Sequence, residues 1–103
     1  MESQSTSIVD MLNFSAADYA QSLLKHLNDQ RQQNEFCDIK LIIDGQEFAA
    51  HKAILSSASP YFHAMFGGSM VESSQSTVVI HEIESIVFNV ILDYIYSGGF
   101  LDS

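Results

Sequence analysis

The chain has 103 residues, the length of one domain. Apolar residues make up 47% of it, more than so short a chain readily hides within one copy, so part of its surface is expected to be met by a second copy. Four basic residues against thirteen acidic ones give a formal net charge of -9, which argues against nucleic acid and against anionic membranes, both of which recruit Lys and Arg.

Residues 1–14 are polar and Ser-rich and are expected to form a flexible N-terminal segment, with the folded domain running over 15–103. Ser15 and Asp18 have the spacing of a capping box, and Ala16, Ala20, Leu23, Leu24 and Leu27 recur at helical spacing behind them. This predicts a helix over 16–32 with a solvated last turn at 29–33. From Phe36 to Asp44 the period changes: Cys37, Ile39, Leu41 and Ile43 form one face of a strand. Asp44-Gly45 is a hairpin signal, and 46–50 is its return strand with Phe48 toward the core. Residues 52–59 predict a short helix. Pro60 then opens a second one that Gly67-Gly68 ends. Thr77 to Ile80 reads as a strand, and 84–97 as a helix closed by Gly98-Gly99. That helix has almost no polar face, so it must be covered on more than one side. The fold class is α+β, mixed α/β, with a small sheet flanked by short helices.

Cys37 is the single cysteine, so no internal disulfide forms, and the cytoplasm or the nucleus is the expected compartment. No segment has the length of a membrane span, and the first ten residues lack the basic start and apolar run of a signal peptide. The sequon Asn13-Phe14-Ser15 is then a chance match. His26, His51, His63 and His81 are scattered, and one cysteine cannot complete a zinc cluster, so neither a metal nor a cofactor is expected. His51 reads as a structural histidine at a strand-to-helix junction, Cys37 as an inert core thiol, and Asp38 as an acid paired near Lys52. Ser56, Ser57 and Ser59 sit in no nucleophile elbow or phosphate loop, so a hydrolase is not expected and the chain reads as no enzyme.

A longer pattern runs through these elements. Phe36-Cys37-Asp38-Ile39, Asp44-Gly45, Phe48-x-Ala50-His51-Lys52, Leu55-Ser56-x-x-Ser59-Pro60-Tyr61-Phe62 and Met65-Phe66 stand in order. Leu24-x-x-Leu27-Asn28-x-Gln30-Arg31 lies upstream and Asp93-Tyr94-Ile95-Tyr96-Ser97-Gly98 downstream. Together they resemble the BTB/POZ domain family over about residues 15–101.

The resemblance implies a homodimer whose first helix packs across an isologous two-fold interface, placing Tyr19, Leu23, Leu24, Leu27, Asp38 and Lys52 at the interface or its groove. Residues 61–66, followed by Met70-Val71-Glu72-Ser73, are similar to kelch-like adaptors of cullin-3 ubiquitin ligases. In those, a hydrophobic-x-Glu motif after the helix pair meets the cullin, which implies Tyr61, Phe62, Met65, Met70 and Glu72 as contacts here. The alternative reading of Met70 is a core gap-filler, with Glu72 a solvated acid. A second class, BTB domains of zinc-finger transcription regulators, implies corepressor binding at a charged pocket near Asp38 and Lys52. The family pattern continues with further helices after the position of Ser103, so the domain is expected to be incomplete at its C-terminus.

Overall fold

A computed structural model describes residues 18–68 and 75–98. Its elements are α1 (Tyr19–Gln32), β1 (Ile39–Ile43), β2 (Gln46–Ala50), α2 (Lys52–Ala58), α3 (Pro60–Gly67), β3 (Thr77–Val79) and α4 (Ser85–Ser97). The strands form one sheet in the order β2-β1-β3. β1 pairs antiparallel with β2, Ile39 opposite Ala50 and Ile43 opposite Gln46, and parallel with β3, Leu41 opposite Val78.

The alternation read from β1 is the one the fold uses: Ile39, Leu41 and Ile43 are buried, while Lys40 and Ile42 between them are half-buried. Asp44 and Gly45 both take positive φ, 52° and 78°, the geometry of a two-residue hairpin turn. The strand begins later than its sequence pattern. Asn34 and Phe36 adopt left-handed φ of 57° and 59°, which no strand can continue, and Phe36 is left almost fully exposed. Cys37 therefore lies in the connector and is half-buried, not on the strand's apolar face.

α2 and α3 form the expected helical hairpin. Ser59 ends one and caps the other: its Oγ accepts the Phe62 N–H at 3.4 Å, and Pro60 follows at the first helical position. At the far end, the Asp44 carboxylate accepts the Ser85 N–H at 2.9 Å, so the hairpin turn also anchors the start of α4. Gly98 closes α4 in the left-handed region at φ 71°. A Cβ there would stand 2.8 Å from the Leu24 side chain, so α1 lies close against the end of α4.

The core sits between the sheet and the helices, with Leu41, Leu55, Phe62, Phe88, Leu92 and Tyr96 at its centre. Phe62 stacks on Phe66 at 5.8 Å and meets Phe88 edge-on at 6.2 Å, and Phe48 packs edge-on against Phe88 at 5.3 Å. Burial on this scale is worth about 2 kcal/mol per large side chain. α4 contributes only one stripe of itself to this core, Phe88, Leu92 and Tyr96. Ile86, Val87, Val90, Ile91 and Tyr94 are exposed, so among the described residues the second side of α4 has no cover.

Candidate functional site

The described chain holds three places where sequence-marked residues gather. The first is the junction of β2 and α2. His51 is buried there because the strand ends on Ala50 and the chain turns inward before α2 begins. Its Nδ1 lies 2.7 Å from the Tyr96 hydroxyl and its Nε2 3.1 Å from the Glu35 carbonyl, while its own N–H donates to the Tyr96 hydroxyl at 3.0 Å. These partners fit an imidazole that donates from Nε2 and accepts at Nδ1. Every polar atom has a structural use, so His51 is a tie between β2 and α4. Burial, only partly offset by the His51 N–H donated to the phenol oxygen and by the nearby Arg31 charge, pushes the Tyr96 phenol up to about 12. Burial, and after it the Asp38 carboxylate, raises the Cys37 thiol above its ordinary value. That is the opposite of an activated nucleophile. The thiol donates weakly to the Glu35 carbonyl at 3.6 Å.

Asp38 is close to Lys52, but through the backbone. Its Oδ1 accepts the Lys52 N–H at 2.7 Å and so caps α2 from outside the helix. The Lys52 ammonium instead lies 5.4 Å from the centre of the Phe66 ring. Asp38 and Lys52 are thus neighbours, joined at least by this cap, with the Phe66 ring beside the ammonium. No groove is needed to explain either.

The second place is α1. None of its residues is fully buried. Leu24 and Leu27 turn toward the chain's own α4 and core, while Tyr19 and Leu23 are exposed. The last turn is solvated at Asp29, Gln32 and Gln33 as expected, but the Arg31 side chain is only 9% exposed and bonds Asn28 and Asp93. Asp93 is the partner that sequence reading missed, because a contact across 62 positions leaves no local signal.

The third place is the outer face of α3. Tyr61 is half exposed and its hydroxyl donates to Glu82 at 3.3 Å. Phe62 is buried and Met65 half-buried against the core, so Tyr61 offers most of the surface among the three. Beside it lies a largely apolar cavity of about 300 Å³, walled by Tyr61, Phe62, Ile80, Ile83, Phe88 and Ile91. Met70 and Glu72 fall outside the described residues, as do Ser15 and the segment 1–14. Among the described residues no three His, Cys, Asp or Glu side chains gather as metal ligands, and no helix is long and apolar enough to cross a membrane.

Comparison with known proteins gives a consistent answer. A BTB/POZ domain profile matches residues 27–102. Kelch-like protein 30 of Homo sapiens is 37% identical over 87% of this chain, which corresponds to 16% of that protein. Kelch-like protein 21 of Danio rerio is 36% identical over 85% of the chain and 14% of its own length. The chain therefore spans about a sixth of these relatives. Among solved structures, the BTB domain of zebrafish PATZ1 superposes with a TM-score of 0.73 at 31% identity, over 87% of this chain and 72% of that one.

Proposed function

We propose, since this chain belongs to the BTB/POZ domain family, that it is a protein-interaction module that pairs with itself and recruits cullin-3, as the adaptor of a ubiquitin ligase. The observation that carries pairing is α1. A helix of 14 residues with none fully buried, and with Tyr19 and Leu23 exposed, keeps an apolar face that a partner can cover. A second copy across a two-fold axis covers both helices with one surface. Leu24, Leu27, Asp38 and Lys52 then support the interface from within their own chain.

Cullin recruitment is favoured by the kelch-like relatives and by the exposure of Tyr61 beside an apolar cavity. Tyr61, Met70 and Glu72 are the contacts we assign; Phe62 and Met65 hold the helix that carries Tyr61. An exposed aromatic such as Tyr61 is the kind of side chain that anchors a protein interface. The lone thiol suits the cytoplasm or nucleus, where such ligases work.

The likeness to the PATZ1 BTB domain favours a second reading, a BTB domain that recruits a corepressor. Calorimetry with the purified amino-terminal domain of cullin-3 separates the two. Binding is expected, weakened by about 1–2 kcal/mol in each of Tyr61→Ala, Met70→Asp and Glu72→Ala. No binding by the unmodified chain, or equal binding by all three variants, removes the cullin reading. Sedimentation at micromolar concentration is expected to show two chains per particle, and a persistent monomer removes the pairing.

A further inference from the structure

α1 is held to the rest of the chain by little apolar burial, so what fixes its orientation matters. Leu24, Asn28 and Arg31 are spaced i, i+4, i+7 and share the face toward α4. On α4, Asp93 and Tyr96 are spaced i, i+3 and face back. The Arg31 guanidinium spans the gap. Its Nε and Nη2 both donate to Asn28 Oδ1, at 2.9 and 2.6 Å, and Nη2 also reaches Asp93 Oδ1 at 3.1 Å. Its Cζ lies 4.9 Å from the centre of the Tyr96 ring. That ring is a fixed platform: Tyr96 is 1% exposed, and two nitrogens of His51 hold its hydroxyl.

We infer that Arg31 is a positioning residue for the pairing of two chains: it locks the rotation of α1 against α4 and thereby sets where Tyr19 and Leu23 point. Consecutive helix residues are about 100° apart, so Leu23 cannot turn unless the Leu24, Asn28 and Arg31 face turns with it. Lysine cannot replace the guanidinium, because a single ammonium lacks the planar fork that bonds two acceptors while stacking on a ring. The inference rests on the homodimer reading for its effect on pairing, and on this chain alone for its effect on α1.

The test takes the whole chain with Arg31→Gln, Arg31→Lys and Asp93→Asn. The dimer dissociation constant is read by sedimentation, and backbone amide exchange is followed residue by residue. Arg31→Gln is expected to raise the dissociation constant about tenfold, with Arg31→Lys and Asp93→Asn between it and the unmodified chain. The amides of α1 are expected to exchange faster in all three while those of Leu41 and Ile43 in β1 keep their rates. Dissociation constants within twofold of the unmodified chain overturn the inference. So does acceleration in β1 equal to that in α1, which would mark a contribution to overall stability only. Should Arg31→Gln not fold, Asp93→Asn decides by the same criteria. If the unmodified chain is monomeric, the homodimer reading fails by itself. The exchange of α1 then decides whether Arg31 locks the helix.

Discussion

Tyr96 joins three parts of this fold. Its ring closes the core and carries the Arg31 guanidinium, and its hydroxyl serves His51. Burial is the main reason its phenol is pushed up to about 12, from 10.0 in the open chain. Between those values the folded chain keeps a proton that the unfolded chain releases, so stability must fall as pH rises. The contribution is complete below pH 10 and gone above the folded value. The Cys37 thiol, also raised, acts in the same direction from nearer pH 9. Tyr96→Phe separates the two groups. It is expected to lower stability at pH 7 by about 1–3 kcal/mol, because the His51 N–H loses its acceptor inside the protein. Its further decline between pH 10 and 12 is expected to be shallower than that of the unmodified chain. Urea unfolding at pH 8, 10 and 11 measures both. Parallel declines would mean that Tyr96 does not carry the alkaline sensitivity.

At the level of elements, α2 shows how a helix can depend on a strand it does not adjoin in sequence. His51 occupies its N-cap position but makes no side-chain cap, and Asp38, just before β1, supplies the acceptor for Lys52 N–H. Asp38→Ala is expected to cost about 1 kcal/mol, and Asp38→Asn much less, since the amide oxygen can still accept. Equal losses in thermal unfolding would point instead to the charge of Asp38. The same case shows where the sequence was legible. The period-2 run of Ile39, Leu41 and Ile43, the Asp44-Gly45 turn, the Pro60 start and the Gly98 stop are local signals, and the fold has each of them. The onset of β1 differs from the sequence pattern because Phe36, an aromatic residue, carries no mark of its left-handed backbone. The roles of Asp38, Arg31 and Tyr61 depend on groups many positions away, which spacing along the chain does not encode. For the candidate contacts, sequence named the region of α1 and α3 but could not separate outward Tyr19, Leu23 and Tyr61 from inward Leu27 and Phe62.

For the whole molecule, charge and apolar surface are arranged in complementary ways. Of the few basic side chains, Arg31 is committed to Asp93, Lys40 to Glu47 at 3.2 Å, and Lys52 to the Phe66 ring. The formal net charge of -9 makes the long-range field acidic, which keeps separate particles apart. Exposed Ile86, Val87, Val90, Ile91 and Tyr94 on α4 pull the other way, since one contiguous apolar helix face favours contact with any similar surface. Ile86 is 79% and Val90 54% exposed, so little of either stabilises the single chain. Replacing both by Lys improves helix propensity by a few tenths of a kcal/mol and gives up a similar amount of partial burial. The net change in unfolding free energy is therefore expected to stay within about 0.5 kcal/mol. Light scattering over a concentration series is expected to fall in the double variant, while the dimer proposed through α1 is expected to persist. A loss of several kcal/mol on unfolding would mean that this face of α4 is packed in the folded chain, and that the apolar excess is hidden rather than displayed.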